Sequence, residues 1–144
     1  MTAFFQARRR VRFAHCDPAG MAYYPRYLEL CDGVIEDWCE AVLLEPRARL
    51  HLELGLGLPT ARMEAEFSAP SRLGDWLDFT LQVTSLGRSS IGFSMAANCA
   101  GERRFAVTYV QVLVDLKTGR PLPWRDEWRD RIEGFGTAPG RVAE

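Results

Sequence analysis

From Tyr24 onwards the apolar residues of this chain change rhythm. Tyr24, Tyr27, Leu28, Cys31, Ile35, Trp38, Cys39 and Val42 follow i, i+3, i+4, i+7 spacing, which predicts a helix of about five turns with one buried face. Pro25 suits the first helical position, where its missing N–H costs nothing, and Pro46 ends the pattern or starts a short second helix through His51. After the Gly55-Leu56-Gly57-Leu58-Pro59 break the chain reads as extended over 61–68, 76–86, 90–100 and 103–116, with turn signals between these segments. Short turns make such strands antiparallel neighbours. Upstream, Phe4 to Ala14 alternates apolar residues with Arg8, Arg10 and Arg12, a strand with one wet face, and Trp124 to Ile132 reads as a short helix before a Gly- and Pro-bearing tail. Strand, long helix and four strands predict an α+β fold in which one antiparallel sheet of about five strands buries its concave face on the long helix. With 144 residues, the chain is expected to be a single domain over 1–144. Trp38, Trp76, Phe67, Phe79 and Phe93 are its expected core aromatics.

Charge and cysteine usage narrow the function classes. The formal net charge is −1 and Lys117 is the only lysine, so no global field recruits nucleic acid, and the run RRRVR reads as a solvated strand face. Four cysteines (Cys16, Cys31, Cys39, Cys99) lie far apart with only His15 and His51 to join them, which gives neither a zinc set nor a disulfide framework. Reduced thiols, no secretory leader in MTAFFQARRRVRF and no long apolar run point to a cytoplasmic protein without a membrane segment.

The chemistry concentrates in His15-Cys16-Asp17-Pro18-Ala19-Gly20-Met21-Ala22-Tyr23-Tyr24-Pro25-Arg26-Tyr27. Asp17 before Pro-Ala-Gly is a turn acid in most proteins. Here it stands at the start of a helix, where the amides of Tyr23 and Tyr24 are expected to lack intrahelical acceptors and Gly20 permits close approach of a ligand. Open N–H groups at a helix N-terminus stabilise a developing oxyanion, so acid and donors on one loop suit acyl transfer.

The motif D-P-A-G-x-x-x-Y-P-x-Y at the mouth of a long helix resembles the hotdog-fold acyl-CoA thioesterases of the 4-hydroxybenzoyl-CoA thioesterase family, and the order of elements extends the resemblance coarsely over the chain. The resemblance implies a hotdog fold, hydrolysis of a CoA thioester without metal or cofactor, and a homodimer or dimer of dimers with active sites between subunits. It implies that Asp17 is the catalytic carboxylate and that the Tyr24 backbone N–H polarises the thioester carbonyl. An aromatic, benzoyl-like acyl group fits that subgroup. Direct attack by the carboxylate to give an anhydride and activation of a water are both open to Asp17.

Other residues are weighed beside these. Asp32 sits on the shoulder of the apolar stripe, where it reaches either the acyl group, as the resemblance implies, or an interface. In the turn Leu86-Gly87-Arg88-Ser89-Ser90, Arg88 with the hydroxyls of Ser89 and Ser90 suits a CoA phosphate, with Arg72, Arg103 and Arg104 as competitors. His15 would share a face with Asp17 if the strand persists, and it reads as a loop hydrogen-bonder more than a catalyst. Cys16 would diverge from it, which removes a Cys/His nucleophile. A hotdog hydratase or dehydratase needs a histidine setting that neither His15 nor His51 has. A non-catalytic acyl-CoA-binding hotdog domain is the third reading, and an intact Asp17 argues against it.

Overall fold

The computed structural model describes residues 3–137. Five strands form one antiparallel sheet: β1 (Phe5–Arg10), β3 (Thr60–Phe67), β4 (Trp76–Leu86), β5 (Ser90–Cys99) and β6 (Glu102–Val112), in the order β1-β4-β5-β6-β3. A two-stranded piece pairs β2 (Leu56–Gly57) with β7 (Val114–Asp115). Helix α1 (Tyr24–Trp38) lies along one face of the large sheet, and α2 (Asp126–Phe135) closes one end of it. This is the expected architecture, a long helix wrapped by a five-stranded sheet.

Alternation in the strands decides which face meets the helix. Leu77, Phe79, Leu81 and Val83 of β4 stand beside Met95 and Phe93 of β5, which pair in turn with Val107 and Tyr109 of β6. Onto this surface α1 sets Tyr27, Cys31, Val34, Ile35 and Trp38, all buried. Each such side chain contributes on the order of 1.5–3 kcal/mol when removed from water. Arg9 of β1 shares the helix-facing side and pairs with Asp37 of α1, while Arg8 and Arg10 point to solvent over the indole of Trp76. The run RRRVR is therefore mostly a solvated face, with one arginine turned inward.

Several boundaries differ from the sequence reading. β1 stops at Arg10, and Phe13–His15 forms a 3₁₀ turn, so His15 and Asp17 do not share a strand face. The long helix loses its α register at Trp38 and widens into a π turn over Cys39–Leu43, which Leu44 ends in the left-handed region (φ 59°). A second π turn, Arg49–Glu53, follows Pro46. Buried Glu45 ties this region to α2: its carboxylate accepts from Trp128 Nε1 (3.2 Å) and from Arg49 Nε (2.9 Å). The terminal helix starts at Asp126, and most of the Gly- and Pro-bearing tail lies outside the described residues. Phe67 and Trp76 are not core: they are 47% and 45% exposed, Phe67 because β3 is an edge strand and Trp76 because it lies on the outer face of the sheet.

Candidate active site

The segment between β1 and α1 is folded by its own polar groups. Asp17 N–H donates to the Met21 carbonyl (2.8 Å), and Gly20 N–H donates to the Asp17 carbonyl (3.0 Å). Asp17 Oδ1 accepts from the N–H groups of Ala19 (2.9 Å) and Met21 (3.2 Å). Gly20 closes the turn with φ 77°, a conformation that strains any residue with a Cβ. The loop is then stapled to the 71–73 turn: Ala22 N–H donates to the Ser71 carbonyl (2.8 Å) and Leu73 N–H to the Gly20 carbonyl (2.9 Å). Beneath it, Ser71 N–H donates to the Tyr27 hydroxyl (3.0 Å). Asp17 is thus fixed through one carboxylate oxygen, while Oδ2 has no partner among the described residues.

Two features of the first turn of α1 reduce its donor capacity. Tyr23 N–H, expected to be open, donates to the His15 carbonyl (2.9 Å). Pro25 has no N–H, and Arg26 N–H donates to the Tyr23 carbonyl (2.8 Å). Tyr24 N–H is left without an acceptor among the described residues, at the positive end of the helix dipole and on the same loop as the free Asp17 oxygen. A carbonyl seated between these groups would meet an anionic oxygen and a hydrogen-bond donor, the two functions an acyl transfer requires.

Aromatic rings border this point. Tyr24 and Tyr23 are 58% and 52% exposed, and ring contacts run from Tyr23 to Tyr24 (5.6 Å), Tyr24 to Phe67 (5.9 Å), Phe67 to Phe105 (6.2 Å) and Phe105 to Phe79 (5.9 Å). The ladder begins at the loop and ends in the core. No sequence spacing reveals it, because its rings come from α1, β3, β4 and β6.

His15 does what a loop hydrogen-bonder does. Its Nδ1 accepts from Arg12 N–H (2.9 Å), and partial burial, with lesser effects from nearby charges, holds its pKa below the ordinary imidazole value. Among the thiols, burial pushes Cys31 up to about 12 and also raises Cys39, so neither is a nucleophile; all four cysteines are free. Asp32 lies exposed on α1, two turns or about 12 Å of helix axis beyond Tyr24, with the hydrogen-bonded pair Cys31 and Tyr109 beside it.

The fold does not bring Arg88, Ser89 and Ser90 to Asp17 within one chain. The Asp17 loop docks at the Trp76 end of β4, through Val11 N–H to Asp75 carbonyl (2.8 Å), whereas the Arg88 turn follows Leu86 at the other end. About 33 Å of strand separates them. Among the competing arginines, Arg104 is taken up by Asp75 Oδ2 (2.9 Å) and the Pro70 carbonyl (2.8 Å), and Arg103 Nε donates to Asn98 Oδ1 (2.8 Å). Arg72 is exposed, next to the Asp17 loop. Among the described residues no cluster of histidine, cysteine, aspartate and glutamate could hold a metal ion, and no helix is long and apolar enough to cross a membrane.

Comparison with known proteins places this geometry in context. Residues 11–132 match the profile of the thioesterase-like superfamily. The chain is 33% identical over 86 residues to the 1,4-dihydroxy-2-naphthoyl-CoA hydrolase of Synechococcus elongatus, a match spanning 60% of this chain and 63% of that enzyme. Its fold superposes on a 1,4-dihydroxy-2-naphthoyl-CoA thioesterase from Synechocystis with a TM-score of 0.80, at 22% identity over 90% of this chain and 96% of that one. It also superposes on a Staphylococcus aureus protein solved in complex with CoA, with a TM-score of 0.87 at 12% identity over 100% of this chain and 90% of that one. At such identities the two structures show the fold alone.

Proposed function

Because the chain belongs to the thioesterase-like superfamily, we propose that it hydrolyses an aromatic acyl-CoA thioester to the free acid and CoA, as an enzyme of the 4-hydroxybenzoyl-CoA thioesterase type. The observation that carries this reading is the pairing of an Asp17 oxygen with the Tyr24 N–H of the helix start, both without a partner among the described residues. The Tyr24 amide holds the thioester oxygen as it gains charge. Asp17 Oδ2 either attacks the carbonyl carbon, expelling the CoA thiolate and leaving an anhydride that water cleaves, or takes a proton from a water that attacks in its place. The exposed rings of Tyr24 and Phe67 give an aromatic acyl group a stacking surface. In this reading Asp32, further along α1, accepts from a polar substituent of that group. The match to hydrolases of 1,4-dihydroxy-2-naphthoyl-CoA supports the aromatic class.

The site is completed in this reading by a second copy. β3 is an edge strand whose Met63 and Phe67 are 43% and 47% exposed. Its Phe67 end adjoins the Asp17 side of the sheet, through Ser68 N–H to Arg104 carbonyl (2.8 Å), and its Thr60 end adjoins the Ser90 side, through the pairs Thr60↔Gln111 and Ser90↔Val112. Antiparallel pairing of two β3 edges about a two-fold axis exchanges these ends. It brings the second copy's Arg88, Ser89 and Ser90 toward the first copy's Asp17, where they bind CoA phosphate.

A hydrolysis screen over acyl-CoA esters with free-thiol detection tests the function. Benzoyl-, hydroxybenzoyl- and naphthoyl-CoA esters are expected to outrun palmitoyl-CoA in kcat/KM; absence of thiol release from every ester would sink the reading. In a single turnover in ¹⁸O-water, label in the Asp17 carboxylate marks the anhydride route with water attacking the aspartyl carbonyl, whereas label confined to the product acid is common to general-base attack and to water attacking the acyl carbonyl of an anhydride.

A further inference from the structure

A solvent-open surface cavity of about 500 Å³ lies away from Asp17, lined by His51, Leu54, Gly55, Asp115, Leu116 and Lys117. It forms where β2 pairs with β7, and the Leu116 N–H, donating to the Gly55 carbonyl (2.9 Å), ties its two sides together. This is the end of the fold that carries the Arg88 turn: Leu113 N–H donates to the Ser89 carbonyl (2.8 Å), and Trp124 N–H donates to the Arg88 carbonyl (3.0 Å). The size is that of a small-molecule site.

The polar groups of the cavity are sorted by the turn that follows β7. Asp115 Oδ1 accepts from the N–H groups of Lys117 (2.7 Å) and Thr118 (3.4 Å), and Gly119 N–H donates to the Asp115 carbonyl (2.7 Å). These bonds hold the turn and leave Asp115 Oδ2 and the Lys117 ammonium without partners among the described residues. One free cation and one free acceptor among the described residues therefore stand at a pocket whose remaining wall is two leucines, a glycine and an imidazole.

CoA is anionic at two separate places, the 5′-diphosphate and the ribose 3′-phosphate, with an adenine between apolar and hydrogen-bonding demands. Arg88 with Ser89 and Ser90 can serve one of the two. We infer that the cavity is the subsite for the 3′-phosphoadenosine end of CoA, with the Lys117 ammonium on the 3′-phosphate and the adenine against Leu54, Leu116 and His51. This inference rests on the CoA-thioester reading above. Asp115 fixes the orientation: its free oxygen repels phosphate and accepts from the exocyclic amine, so the base lies toward Asp115 and the phosphate toward Lys117.

Calorimetric titration of the full chain with adenosine 3′,5′-bisphosphate and with AMP, which lacks the 3′-phosphate, tests this directly. The wild type should bind the bisphosphate about tenfold more tightly than AMP, the worth of one hydrogen bond between charged groups. Lys117→Gln, at an exposed position, should erase that preference while leaving AMP affinity within about twofold. Leu116→Asp, at a half-exposed position, should weaken both ligands. The subsite is overturned if the wild type binds neither ligand, if it binds both alike, if Lys117→Gln keeps the preference, or if Leu116→Asp changes nothing. No turnover is read here, so a failure of the hydrolase reading shows in the acyl-CoA screen and a failure of the subsite shows in these titrations.

Discussion

Replacing Asp17 by asparagine separates turn chemistry from acyl transfer. Asparagine keeps the Oδ1 acceptor that the Ala19 and Met21 amides use, so the loop and the melting temperature should hold. The turnover number should fall by on the order of 10² to 10⁴, with little change in ester binding. Retention of more than about a tenth of wild-type turnover would remove Asp17 from the chemistry. Tyr24 allows a matching test of its amide. Tyr24→Pro deletes the N–H at a helical position that tolerates proline, whereas Tyr24→Ala keeps the N–H and deletes only the ring. Turnover should drop about 10²- to 10³-fold in the proline variant beyond any loss in the alanine variant; equal losses would mean that the ring matters and the amide does not. His15 supplies a pH signature. Its Nδ1 must be unprotonated to accept from Arg12 N–H, and its folded-state pKa lies below the ordinary value near 6.5, so its contribution is present above about pH 6.5 and fades as the pH falls below that. Melting curves between pH 7.5 and 5.5 should fall more steeply for the wild type than for His15→Gln, and parallel curves would refute the assignment.

At the scale of elements, the joint between the Asp17 loop and the sheet depends on β6. Arg104 reaches across to Asp75 Oδ2, the Pro70 carbonyl and, at 3.3 Å, Ser71 Oγ, the residue whose carbonyl holds Ala22 N–H. Removing it takes the guanidinium from the Pro70 carbonyl and leaves Asp75 Oδ2 with the Arg72 N–H (3.0 Å). Arg104→Ala should lower the melting temperature by on the order of 5 °C, the equivalent of ~1–2 kcal/mol, and loosen the Asp17 loop, read as faster amide exchange at Ala22 and Leu73. Asp75 reports the same joint through pH. The Arg72 N–H first, and the Arg104 guanidinium after it, hold the Asp75 carboxyl below the usual carboxylate range. Its contribution is therefore present above about pH 4 and lost as pH falls through the depressed value, an acid-side loss that Asp75→Asn should flatten.

The proposed assembly makes its strongest statement at the scale of the whole molecule. Because Asp17 and Arg88 occupy opposite ends of β4, a site using both must draw them from different copies. Arg88→Ala should then raise KM for CoA esters far more than it lowers turnover, with a pantetheine thioester indifferent to the change. Mixing inactive Asp17→Asn chains with Arg88→Ala chains should restore sites that have both residues intact, one from each subunit. Recovery of low-KM turnover is the expected result; a mixture no better than its parts, or a chain that sediments as a 16.3 kDa monomer at micromolar concentration, would dissolve the shared site.

The helical spacing from Tyr24 and the alternation in β4 to β6 made the fold legible before any coordinates, because burying one face imposes a period on the residues that form it. The Asp17 loop was legible for a similar reason. Its acid, its left-handed glycine and its helix start are neighbours in sequence, so their relation is local. What tertiary structure decided was every relation between distant segments. It closed the Tyr23 amide onto the His15 carbonyl and left Tyr24 N–H without an acceptor among the described residues. It turned Phe67 and Trp76 outward, because an aromatic residue carries the same hydrophobicity on an edge strand or an outer sheet face as in the core. It also sent Arg88 to the far end of the sheet from Asp17, because the direction and order of the strands, set by packing around α1, fix which turns share an end, and residue spacing along the chain does not encode that order.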